Sequence, residues 1–167
     1  MLLLAGCEEI TDHHPKVIFQ YHYINYAWGY QNSGFLIDTE GNIRSFSMPV
    51  AWNYPDTEGY ISAAAMDENL AQLGEKECTV NMYDLAFFSS KLQKALDGKI
   101  TEPEHQMCDA GGHSYGGYIF EPGRNRYKYV FIKLTGDFYK ENQAREADEI
   151  YEWLNNPCET RISVRGW

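Results

Sequence analysis

The run VIFQYHYINYAW, from Val17 to Trp28, constrains this chain more than any other stretch. It is dense in β-branched and aromatic residues and carries no helical spacing, so it reads as one long, bent strand buried for much of its length. Gly29 to Gly34 reads as a loop. Phe35–Asp38 and Asn42–Phe46 then flank Thr39-Glu40-Gly41, a tight turn in which Gly41 can supply positive φ. Together these make a three-stranded antiparallel meander.

A second hairpin pairs Tyr115–Phe120 with Tyr127–Leu134 around Glu121-Pro-Gly-Arg-Asn125. Neither face of its second strand is polar, which places that strand inside the sheet. Three helices are expected. One spans Ser62–Gly74, with Met66, Leu70 and Leu73 at helical spacing. A second is capped by Asn81, with Leu85, Phe88, Leu92 and Ala95 or Leu96 in one stripe and Gly98 at its end. A third is capped by Asn142 and carries Ala147, Ile150 or Tyr151, and Leu154. Met48–Tyr60 and Glu102–Gly112 read as loops, and Arg161–Val164 as an edge strand. This order predicts an α+β fold, an antiparallel sheet of a three-stranded meander plus a second hairpin, packed on one face by about three helices.

The chain has 167 residues, of which 15% are aromatic, and a formal net charge of -10. That length suits one domain with its own core. The charge repels phosphate backbones and argues against nucleic acid and against lying flat on anionic lipid. No apolar run approaches the ~18–20 residues that cross a bilayer.

The start of the chain gives an address. Leu4-Ala5-Gly6-Cys7 resembles the lipobox of bacterial lipoproteins, in which a peptidase cuts before a cysteine that then carries lipid. The resemblance implies an acylated Cys7, a lipid bilayer as partner and a cell-envelope location at the outer membrane. Residues 1–6 are then the remnant of a signal segment, 7–16 a tether and 17–167 a single globular domain. Only Leu2–Leu4 precede the box, fewer than the roughly 7–15 apolar residues of a signal core. A start inside a longer signal peptide is therefore expected. Glu8, Glu9 and Asp12 resemble the surface-export signals of Bacteroidetes lipoproteins, which implies exposure at the cell surface. Beyond Cys7 the chain holds Cys78, Cys108 and Cys158, enough for one disulfide and one free thiol in an oxidising envelope. Cys108–Cys158 is the favoured pair, because Cys78 and Cys108 bracket the second helix.

The densest reactive cluster is His105-x-x-Cys108-Asp109, followed by Gly111-Gly112-His113. These residues offer zinc ligands at no established spacing. They also offer a thiol nucleophile beside a histidine. The weightier expectation is a disulfide-bonded Cys108, a capped turn and exposed histidines. Gly112-His113-Ser114-Tyr115-Gly116 has the letters of a nucleophile elbow, but it leads into a hairpin where the elbow joins strand to helix. Ser114 and Cys108, with His113 or His105, are thus the candidates for a small hydrolase. Asp38, Glu40 and Asn42 fail the calcium-loop pattern, with Pro49 at its twelfth position. His13-His14 sits in the tether as a solvated pair, and His22 reads as a packed core histidine. Gly111-Gly112 and Gly116-Gly117 lack phosphate-loop spacing. No metal or cofactor is expected.

Rings are the remaining candidate chemistry. Trp28, Tyr30, Trp52 and Tyr54 fall at strand ends or in loops, where exposed rings can stack on sugar faces or grip a protein partner. The competing expectation is that they close the open end of the core. The favoured reading is a non-enzymatic envelope lipoprotein with a protein or glycan partner.

Overall fold

The structure, a computed structural model, describes residues 14–158. The lipobox, most of the tether and the expected edge strand at Arg161–Val164 lie outside the described residues.

Nine strands and four helices follow in chain order: β1 Val17–Asn25, β2 Gln31–Asp38, β3 Asn42–Ser47, β4 Tyr60–Ser62, α1 Ala63–Leu70, β5 Lys76–Thr79, α2 Met82–Ser89, α3 Leu92–Leu96, β6 Glu104–His105, β7 Gly112–Glu121, β8 Arg126–Gly136, β9 Phe138–Glu141 and α4 Arg145–Leu154. They form one antiparallel sheet in the order β5-β3-β2-β1-β7-β8-β9-β6, with β4 added alongside β8. The α+β expectation is met, with a larger sheet than the sequence suggested. The meander and the second hairpin are its centre, and β8 lies inside the sheet.

Strand alternation gives the sheet two unlike faces. On the first, Phe19, Ile37, Val130 and Ile132 pack against Leu85 and Phe88 of α2, Leu92 and Ala95 of α3, and Ile150, Trp153 and Leu154 of α4. Trp153 stacks on Phe88 and meets Phe19 edge to face, with ring centres 4.6 and 5.1 Å apart. The second face holds a smaller cluster of Val17, Leu36, Ile61, Met66, Tyr118 and Tyr127, and α1 covers only part of it.

Several local expectations change. Gly29–Gly34 is not a loop; β2 already starts at Gln31, and Trp28 stands in the turn. The expected second helix breaks into α2 and α3 at Ser90-Lys91. The Ser89 and Ser90 hydroxyls bond back to the carbonyls of Leu85 and Phe87, which competes with the helical ladder there. Asn81 does cap α2, accepting from the Tyr83 N–H at 2.8 Å. Asn142 does not occupy the cap of α4, which is Ala144. Its buried amide donates to the Ala95 and Phe131 carbonyls and accepts from the Ala144 N–H, tying α3, β8 and the start of α4 together.

The disulfide is Cys78–Cys158, and Cys108 is unpaired and exposed. The expected Cys108–Cys158 pair is therefore corrected. Cys158 follows α4, and that helix packs on the face reached from β5, whereas Cys108 lies beyond the opposite sheet edge. Among the described residues no helix is long and apolar enough to cross a membrane.

Candidate functional site

The second sheet face is where buried polar groups gather. Gln20, His22 and Ile24 of β1 share it, by alternation. Opposite them in register stand Gly116, Ser114 and Gly112 of β7 on one side, and Leu36, Gly34 and Asn32 of β2 on the other. Three of these six neighbours are glycines, so the face is scooped out around β1. Rings lie flat in the space. A Cβ at Gly116 would overlap the Tyr129 ring, and one at Gly34 would come within 2.8 Å of the Phe46 ring.

A hollow of about 410 Å³ remains between this face and residues 54–59. Gln20, His22, Ser114, Tyr118 and Tyr129 form its floor, and Tyr54 forms part of its wall. Ile24 also borders a second hollow of about 350 Å³ at the end of the sheet, lined by Tyr26, Gly112, Leu134 and Phe138 among others. Ile24 borders both hollows, which lie one after the other along β1 and β7 and are together called the trough.

His22 is 7% exposed. Its Nε2 lies 2.6 Å from Asn32 Oδ1, and the Asn32 amide nitrogen donates to the Tyr30 hydroxyl at 2.9 Å. That amide orientation makes Nε2 the protonated nitrogen and leaves Nδ1 an acceptor. Tyr54 stacks on the imidazole at 5.5 Å and 14°, and Phe46 meets it edge on. Burial lowers the His22 pKa against the opposing effect of the Asn32 bond, which keeps the ring neutral. Burial, then the neighbouring Tyr30 and Tyr26, pushes the Tyr54 hydroxyl up to about 12.

The rest of the floor is also uncharged. Tyr118 donates to Gln20 Oε1, which leaves the Gln20 amide nitrogen as a donor. Burial drives the Tyr118 pKa well above its ordinary value, with Tyr129 adding to it. Ser114 Oγ sits 3.4 Å from the Tyr129 hydroxyl, and burial raises the Tyr129 pKa too.

The catalytic candidates separate. His113 precedes Ser114 on β7 and so faces the other side of the sheet. There its Nδ1 lies 2.8 Å from the Tyr21 hydroxyl, and its ring packs on Tyr23 at 4.6 Å. Ser114 faces the trough, where its cross-strand neighbour is His22. His105 Nε2 is 3.8 Å from Cys108 Sγ, on an exposed stretch beside the short β6–β9 pair. Neither lines one of the two hollows. Among the described residues no three His, Cys, Asp or Glu side chains come together as a metal site.

The ring candidates fall at one end of the sheet. Tyr54 is half exposed on the trough wall, and Tyr30 reaches it through Asn32. Trp52 stacks on Phe46 at 3.8 Å behind His22. Trp28 stands clear in the β1–β2 turn, 79% exposed. Gln20, His22, Asn32, Tyr118 and Tyr129 were not singled out as functional by sequence. The signal was present as alternation in β1 and as glycines at 34, 112 and 116, but it acquires meaning only once the strand registers are known. No family model, curated protein or solved structure matches this chain, so its chemistry must be read from its own residues.

Proposed function

We propose that this chain is a ligand-binding domain without catalytic activity, held at the cell envelope through an acylated Cys7. The observation that carries the binding role is the trough. It has a hollow with a neutral polar floor and the half-exposed Tyr54 ring in its wall, and beyond Ile24 a second hollow lined by the exposed Tyr26 and Phe138 rings. Buried polar groups are costly unless paired, and a recognition site is where a ligand completes the pairing. The chain enters the fold at the other end of β1, where the Lys16 N–H donates to the Tyr127 hydroxyl. Nine strand residues at ~3.3 Å each put the aromatic end roughly 30 Å from that point. A lipid anchor at Cys7 then leaves the trough free to meet a partner away from the bilayer.

Photo-crosslinking tests the binding role. A benzophenone amino acid at position 54 is expected to give an adduct in intact cells. The same group at Lys94, on the helical side, is the control. Equal adducts from both positions, or none from 54, would overturn the reading. Metabolic labelling with a tagged fatty acid checks the anchor, with label expected on the wild type and lost in Cys7→Ser.

A second reading rests on one observation, the register that sets His22 beside Ser114 with Asn32 orienting the imidazole. Such a set can activate a hydroxyl for acyl transfer. It is weaker because the Ser114 hydroxyl turns to Tyr129 instead. Covalent labelling of Ser114 by a fluorophosphonate probe would establish it over the binding reading.

A further inference from the structure

We infer that the ligand of the trough is a short, neutral oligosaccharide lying lengthwise along β1 and β7, with the sugars at one end against Tyr54 and those at the other against Tyr26 and Phe138. The inference rests on the trough being a binding site and specifies what fills it.

Charge comes first. No Lys or Arg is among the residues lining either hollow, and the charged side chains there are Asp56 and Asp137. Each is engaged by backbone N–H groups: Asp56 Oδ1 accepts from the Glu58 and Tyr60 N–H groups of its own loop, and Asp137 Oδ1 from the Ala110 N–H of the segment before β7. An anionic ligand would meet only like charge, on a chain whose net charge is -10. A cationic ligand would find carboxylates only at Asp56 and Asp137, each already bonded to backbone N–H groups, and none beside the buried His22 and Gln20. What remains is a neutral ligand.

Hydrogen-bond valence comes next. His22, nine-tenths buried, offers an acceptor at Nδ1 that no described protein group fills. Gln20 offers a donor, and the Ser114 and Tyr129 hydroxyls can each give or accept. A ligand complementary to this floor must carry closely spaced groups that both donate and accept. Hydroxyls do so, and a sugar ring bears one on most of its carbons. Sugar rings also present an apolar C–H face, which suits the half-exposed Tyr54 ring and the exposed Tyr26 and Phe138 rings.

Length makes the ligand a chain. Ile24 borders both hollows, and their β7 lining runs from Tyr118 to Gly112. Six residue steps at ~3.4 Å give roughly 20 Å, more than one ring can fill. The polar hollow anchors one part of the ligand, and the apolar hollow of Leu134 and Phe138 receives the rest.

The test titrates the full chain by calorimetry with neutral gluco-, manno- and galacto-oligosaccharides of one to six units, and with sulfated and uronic acid chains of the same lengths. Neutral chains of at least one series are expected to bind, with affinity rising about tenfold from the single sugar to the length that reaches Phe138. Tyr54→Ala should cost about tenfold at every length, near the upper end of a ring stack, while Tyr54→Phe keeps the affinity. Phe138→Ala, at an exposed ring, should weaken only the longer chains. Preference for charged chains, affinity independent of length, or a Phe138→Ala loss equal at all lengths would overturn the inference. If no saccharide binds, the inference also fails, and the adduct from position 54 separates the two levels. A polypeptide adduct leaves the trough standing with another occupant, whereas no adduct removes the binding site as well.

Discussion

The two faces of the sheet are built on different rules. The helix-covered face is largely apolar where the helices lie, and the buried polar residue that β1 sends to that side, Asn25, stands at the strand's end, bonded to the Tyr23 hydroxyl and the Asp109 carbonyl. The opposite face buries Gln20, His22 and Asn32 beneath aromatic rings, and leaves glycines where a core would place bulk. Stability favours the first arrangement, because each buried polar group needs a partner and each missing side chain forfeits contacts. A chain selected for stability alone would have filled the second face as it filled the first. The glycine pair Gly116-Gly117 shows the contrast within two residues. A Cβ at Gly117 would strike Leu92 of the helical layer, whereas one at Gly116 would strike Tyr129 on the trough floor.

The largest expected effects therefore fall on the helical side. Phe19→Ala removes a fully buried ring that Trp153 meets edge on, and it should destabilise the fold by about 3–5 kcal/mol in denaturant unfolding. Breaking the Cys78–Cys158 bridge, which joins residues 80 apart, should cost about 2–4 kcal/mol. Comparing Cys78→Ser/Cys158→Ser with Cys108→Ser sharpens this. The free thiol should matter little to stability, and an equal loss in Cys108→Ser would show that the pairing is wrong.

How much of this was legible depended on how local the signal was. The meander and the second hairpin were readable because alternation and a turn at Glu40-Gly41 or Pro122-Gly123 lie within one short window. β4, β5, β6 and β9 were not. They are two to four residues long, and only their neighbours in the sheet make them strands. Ser33-Gly34 looked like loop chemistry, yet Gly34 lies within β2 and makes room for Phe46. The site was legible only in pieces. Tyr30, Trp52 and Tyr54 stood out as rings, but His22 read as core, which describes its burial and misses its open nitrogen. Nothing local says that Ser114 lies beside His22, because β1 and β7 are about ninety residues apart and only the register joins them.

Gly116→Ala tests whether the trough needs its glycines. The added methyl must push the Tyr129 ring aside, which should cost about 1–3 kcal/mol and displace the hydroxyl that Ser114 faces. Gly117→Ala on the helical side should cost a similar amount by crowding Leu92. The two should differ in their consequence. Crosslinking from position 54 should fall in Gly116→Ala and persist in Gly117→Ala. Equal behaviour would erase the distinction between the faces.

The smallest expected effect separates the faces by pH. Burial lowers the pKa of both His22, in the trough, and His113, on the other face, from the ordinary histidine value of 6.5. As pH falls through 6.5 the unfolded chain takes up protons that the folded chain refuses. Stability should therefore decline from pH 6.5 downward and level off once each folded-state pKa is passed. Above about pH 5 the carboxylates contribute little of this slope. Tyr54, pushed up to about 12, keeps its proton throughout. Both His22→Gln and His113→Gln should shallow the decline in chemical denaturation between pH 6.5 and 5. Ligand binding should distinguish them. Protonation of folded His22 removes the acceptor at Nδ1, so binding in the trough should weaken at the acid end of this decline, where the lowered folded-state pKa is approached, and that dependence should vanish in His22→Gln. It should survive in His113→Gln, because His113 bonds Tyr21 on the far side of the sheet. If His113→Gln abolishes the pH dependence of binding instead, the acceptor at His22 is not what the ligand meets.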